Sequence, residues 1–224
     1  NPDMALGLFN RYFFQTAFGF ILLIYCQPAS QAYDAASPII EENLLELKRD
    51  LFYFKGKPYT GSVVKFHSNK KKAENYSLKN GKLHGLWQEW NSAGQIVNQA
   101  KYRNGRLHGV FIQFRSDGSR EFEVTYADGK ENGSFKRWYE EDKIWVEENY
   151  FSGKLDGVSK TFFRNGKLQL QAEYQSGKKN GVEICWYDNG QQRWEIVYEE
   201  GKMKSKLRWK RDGTPSGQKL PLIF

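Results

Sequence analysis

Cysteine is nearly absent from this chain: there are two, Cys26 and Cys185, in 224 residues. Cys26 falls in a segment that reads as an export signal, so a processed chain holds one thiol. Neither an internal disulfide nor a cysteine-built metal centre is then expected. Histidine is almost as scarce, at three residues. No glycine-rich loop opens a helix in the way a phosphate-binding loop requires. Long apolar runs are missing as well. The longest apolar core, Ala17 to Tyr25, is short for a membrane span of roughly 20 residues.

What is present is aromatic, glycine-rich and basic. Phe, Tyr and Trp make up 16% of the chain, and 21 glycines mark frequent reversals. Aromatic side chains suit pleated, half-buried surfaces, so many short strands are expected. The net charge of +8 favours attraction to anionic surfaces and says nothing of fold.

Residues 1–32 read as a secretory signal. Arg11 precedes the apolar core, and Ser30-Gln31-Ala32 supplies small residues at the spacing a signal peptidase accepts. An uncleaved anchor is the alternative, while bulky Tyr25 disfavours lipid attachment at Cys26. Removing the segment takes away one acid (Asp3) and one base (Arg11), so the charge stays at +8. Export to the periplasm or beyond is the expectation. From 33 to 50 a short amphipathic helix is predicted as a cap or linker, with Ser37 capping, Pro38 in the first turn and Leu44, Leu45 and Leu47 on one side. It would lie as a lid over the first hairpin, or else form a flexible tether.

From 51 to 217 the sequence repeats. Gly81, Gly105, Gly129, Gly153, Gly177 and Gly201 are each 24 residues apart. Counting that glycine as position 0, position 1 is Lys or Arg. Position 4 is glycine in five units and Ser205 in the last. Position 9 is aromatic (Trp90, Phe114, Trp138, Phe162, Trp186), and position 21 is tyrosine (Tyr102, Tyr126, Tyr150, Tyr174, Tyr198). The frame extends backwards through Gly61 and Phe66, and forwards through Trp209 and Asp212-Gly213, each one residue early. Each unit carries two turn signals, one near positions 12–13 (Asp117-Gly118, Asn165-Gly166) and one at positions 23 and 0 (Asn80-Gly81, Asn104-Gly105). Asn-Gly and Asp-Gly fit the type I′ hairpin turn, and alternating runs between them read as strands. The predicted fold is all-β: an elongated, twisted antiparallel meander of tandem hairpins, ending in a tail at 218–224. Stacking equivalent residues hides apolar faces that a lone hairpin could not.

These residues, Gly-Lys-x-x-Gly, then an aromatic, Asn-Gly and Tyr, resemble the bacterial variant of the MORN repeat. Leu51 to Gly61 is similar to the Pro-aromatic-Thr-Gly start of such arrays. The resemblance implies a binding or scaffolding module, sometimes membrane-proximal, and some members carry an antitoxin label.

His84 and His108, one period apart, would be ladder neighbours, but the same slot holds Asn132, Asp156, Asn180 and Lys204. It reads as a turn slot tolerant of left-handed backbone. Cys185 reads as a small strand filler, and Glu140-Glu141-Asp142 and Glu199-Glu200 as solvated loop charges. Two surfaces remain as binding candidates. The first is a basic edge of Lys82, Arg106, Lys130, Lys154, Lys178 and Lys202, reinforced by Lys70-Lys71-Lys72 and by Lys204 to Arg211. The second is an aromatic stripe of Trp87, Phe111, Phe135, Tyr139, Phe163 and Tyr187, opposite the position 9 ladder. It is a groove if the sheet is a single layer and core if it packs. No catalytic set, metal or cofactor is expected. The expected partner is a protein or an anionic envelope component (lipid headgroup or polysaccharide), with self-association through the terminal strands as a further route. An antitoxin-like role or a basic nucleic-acid module is the alternative; export argues against both, although aromatics interleaved with Lys and Arg can stack bases.

Overall fold

The computed structural model describes residues 39–217; the predicted signal at 1–32, residues 33–38 and the tail at 218–224 lie outside them. The predicted meander is present as a 16-stranded sheet. From Gly61–Phe66 to Lys202–Arg208, sequence neighbours pair antiparallel. A typical unit is Lys82–Trp90 followed by Ile96–Arg103.

The two turns of each unit differ. At positions 23 and 0 both residues are left-handed, as in Asn80 (φ 51°) and Gly81 (φ 75°), which makes the type I′ turn expected. Around positions 10–14 a single residue is left-handed, glycine in most units and Asp142 in one. Gly94 N–H donates to the Asn91 carbonyl at 2.8 Å and Asn91 N–H to that of Gln95 at 2.9 Å. That is a longer loop built on a type I turn with a glycine bulge, not the type I′ turn predicted there. Its Asx residue accepts the N–H two residues on, as Asp117 does from Ser119 at 2.9 Å.

The second glycine of each unit makes a bulge. Gly133 has φ 118°, and a Cβ there would sit 3.3 Å from the Thr125 Cβ on the neighbouring strand. The bulge sets Tyr76 opposite Trp87, Val124 opposite Phe135 and Ala172 opposite Glu183. Ser205 has no left-handed backbone, so the last unit runs one residue short. Ile196 faces Lys206 and Trp194 faces Arg208. This slip is why Trp209 and Asp212-Gly213 come early.

Pairing places positions 6, 19 and 21 on one face, called here the core face. At the amino-terminal end it is a true core, in which Val63 and Tyr76 are fully buried and Trp87 is 4% exposed. A second, three-stranded sheet (Glu46–Lys48, Leu51–Phe54, Lys57–Pro58) supplies its cover. Phe52 and Phe54 pack on the cluster with Ile40 and Leu45. Phe52 N–H donates to the Gly81 carbonyl at 2.9 Å, and the Phe52 ring meets Tyr76 edge-on at 5.7 Å.

Over residues 39–50 the predicted helix is not formed. Ile39–Glu41 is a strand parallel to Ser62–Val64, followed by a 3-10 turn at Glu42–Leu44 and the strand Glu46–Lys48. The leading edge of a sheet leaves a row of unpaired N–H and C=O groups. Two β-branched residues, Ile39 and Ile40, satisfy that edge better as a strand than as a helix turn.

Candidate binding surfaces

The six cations at position 1 are all exposed, and no ion pair among the described residues includes any of them. They follow the type I′ turns, so they form one row with a spacing of about 9–10 Å, two strand separations per unit. Their stems have a packing role as well. A Cβ on Gly105, Gly177 or Gly201 would touch the Cβ of Lys82, Lys154 or Lys178 at 3.8 Å. Each stem therefore lies over the next turn while its charge stays in water. Lys70-Lys71-Lys72 does not reinforce this row, because it sits at the opposite hairpin tips. There Lys71 Nζ donates to the Ala93 carbonyl at 3.0 Å and Lys72 lies 3.7 Å above the Trp90 ring.

The six aromatic candidates share the core face but form two rows. Trp87, Phe111 and Phe135 occupy position 6, mid-strand, within a chain of ring contacts: Trp87–Tyr102 at 6.4 Å, Phe111–Phe122 at 5.7 Å, Phe122–Phe135 at 6.2 Å. Tyr139, Phe163 and Tyr187 occupy position 10, at the hairpin tips. The hydroxyls of Tyr139 and Tyr187 donate to the carbonyls of Phe162 (2.9 Å) and Trp209 (3.1 Å) on the next hairpin. Earlier units use other groups for the same tie: His67 Nε2 to the Trp90 carbonyl at 2.8 Å, and Arg115 to that of Trp138. Position 10 is thus a hairpin-to-hairpin fastener, which sequence spacing alone did not reveal.

The histidine slot also has a structural use, though not the predicted one. Its backbone is not left-handed. Instead, in three units its side chain accepts the N–H of the residue at position 23: Asn132 from Ser152 at 3.1 Å, Asp156 from Ser176 at 2.8 Å, Asn180 from Glu200 at 3.3 Å. His108 Nδ1 lies 3.3 Å from the Asp128 N–H in the same arrangement. Cys185 is buried, and burial pushes its thiol above the usual range. Glu140 pairs with Arg164 at 3.6 Å and Glu199 with Lys204 at 2.5 Å.

Along position 6 the core face changes character: Val63, Trp87, Phe111 and Phe135 give way to Ser159, Glu183 and, through the slip, Lys206. Glu148 replaces the apolar residue opposite, accepting from Tyr150 at 2.9 Å and Ser159 at 3.2 Å. At the carboxy-terminal end a groove of about 620 Å³ opens, lined by Glu183, Tyr187, Arg193, Trp194, Tyr198 and Lys206 among others. The Arg193 guanidinium lies 4.8 Å from the Trp194 ring and 5.5 Å from the Tyr187 ring. Glu183 is buried and engaged, paired with Lys179 and accepting from Trp194 Nε1 at 3.3 Å. The sequence signal for this groove was Ser205 in a glycine series.

Among the described residues no helix is long and apolar enough to cross a membrane, and no three His, Cys, Asp or Glu side chains group as metal ligands. A search of curated proteins finds no match. The family model described as MORN repeat variant matches residues 83–104, 131–151 and 155–176. The unmatched stretch between the first two matches keeps the same hairpin and register. Repeats of this type are non-catalytic and generally bind protein or membrane lipid. Residues 83–104, 131–151 and 155–176 are therefore similar to MORN repeats of the variant type, and the hairpins around them keep the same 24-residue period.

Proposed function

We propose that this protein is a non-enzymatic, exported scaffold whose row of six position 1 cations docks on an anionic component of the cell envelope. The observation that carries this reading is the row itself: one exposed cation per unit, none neutralised by an ion pair within the described residues. A periodic array of unpaired charge favours a polyanionic surface over a single small anion, because each contact is weak alone and they add when presented together. The signal-like residues 1–32 motivate the placement.

Sedimentation with vesicles tests the docking. The chain should co-sediment with phosphatidylglycerol vesicles or bind an acidic polysaccharide at low salt. It should be released as screening shortens at higher salt. Changing Lys130, Lys154 and Lys178 to Gln should weaken this at least tenfold; unchanged binding would sink the proposal. Fractionation with amino-terminal sequencing tests export, with a mature start near residue 33 as the expected result.

A further inference from the structure

We propose that the free edge of the last strand, with the groove beside it, is a docking site for an acidic peptide that adds as an extended strand. The site is separate from the position 1 row and goes beyond the docking function above. Lys202–Arg208 ends the sheet, and no described strand pairs with its far side along Lys202–Leu207. Only its distal end is closed, where Ser216 N–H donates to the Arg208 carbonyl at 2.8 Å and Trp209 bridges Pro215. Among the described residues the edge along Lys202–Leu207 carries N–H and C=O groups with no strand partner on that side, a template for another strand.

Charge identifies the occupant. The slip at Ser205 turns Lys206 and Arg208 onto the core face beside Ile196 and Trp194. Arg193 reaches the same groove from the neighbouring strand. None of these three cations has an ion pair among the described residues, and the one carboxylate of the groove, Glu183, is already held by Lys179 and Trp194. The Arg193 guanidinium is stacked on aromatic rings, which orients it for a carboxylate at little further entropic cost. A second copy of this edge would bring its own lysines against these, so the charge excludes self-pairing and admits an acid-bearing strand. The backbone selects a peptide over a glycan or lipid, since only a peptide carries N–H and C=O groups at the spacing of an open strand.

The test uses the full chain and a fluorescein-labelled hexapeptide of alternating glutamate and valine, read by anisotropy. Binding is expected, at least tenfold tighter than for the peptide with glutamine in place of glutamate, and at least tenfold tighter than for one with alternate amides N-methylated. The R193Q/K206Q/R208Q variant should lose tenfold or more, whereas K130Q/K154Q should not change. Because a variant can fail for reasons of folding, amide exchange on the unaltered chain supplies a second reading. Added peptide should slow exchange within residues 203–207. Equal binding of the glutamine peptide, equal binding of the N-methylated peptide, or unaltered exchange at this edge would each overturn the proposal. So would a doubled sedimenting mass that the peptide does not dissociate.

Discussion

The two ends of the sheet are made from the same repeat and finish differently. At the amino-terminal end the core face carries Val63, Tyr76 and Trp87, and Phe52 and Phe54 of the small sheet cover it. At the carboxy-terminal end position 6, which Val63 and Trp87 fill at the first end, carries Ser159, Glu183 and Lys206; the face stays open as a groove, and the edge strand is rich in cations. A stack of repeats needs its outer units altered so that it stops. This protein stops once by burial and once by charge. Burial makes the first end the anchor of stability; charge leaves the second end available to a partner.

Removing the anchor should have the largest effect. Trp87→Ala should cost roughly 3–5 kcal/mol in urea unfolding. By contrast, Phe163→Ala, at a half-exposed tip, should cost much less. Equal losses would mean that the two ends are not distinct. A second pair probes one repeat position at both ends. A Cβ on Gly81 would lie 2.9 Å from the Phe52 carbonyl oxygen, whereas one on Gly201 meets only the Lys178 stem at 3.8 Å. Gly81→Ala should therefore cost roughly 2–4 kcal/mol through left-handed strain plus collision, and Gly201→Ala roughly 1–2 through strain alone.

Glu74 sharpens the comparison through pH. It is buried at the closed end, and burial pushes its carboxyl up to about 8 despite the pull of Lys65, 3.1 Å away. A folded-state value above the ordinary 4.5 means that the folded chain holds this proton more tightly. Stability from this group is therefore complete below about pH 4.5 and is lost as pH rises through about 8. Glu74→Gln should flatten that slope and raise stability at pH 8 by roughly 1–3 kcal/mol, read from thermal melts across pH. The smallest effect is expected at Asp156→Ala, which removes the acceptor for Ser176 N–H and should cost roughly 0.5–1.5 kcal/mol.

Much of the fold was legible because it is locally encoded. The 24-residue period, the Asn-Gly and Asp-Gly turns and the alternating runs each express preferences within a few residues. The basic row was legible for the same reason, since position 1 follows directly on a turn. Residues 39–48 were misread as helix because an open sheet edge some twenty residues away decides their conformation. The aromatic candidates were grouped as one stripe because period-two alternation shows which face a residue takes but not its distance along the strand. The use of position 10 as a fastener depends on the next hairpin, and so does the acceptor role of position 3.

The repeat, its turns and the row of six cations are written in the sequence, because they follow from backbone sterics and from spacing along the chain. Which end is sealed and which is open depends on contacts between hairpins distant along the chain. Missing one glycine bulge at Ser205 shifts the register by one residue, and a one-residue shift in a strand moves its side chains to the other face. That is how Lys206 comes to the slot that Trp87, Phe111 and Phe135 fill in the earlier units, with Arg208 beside it in the groove.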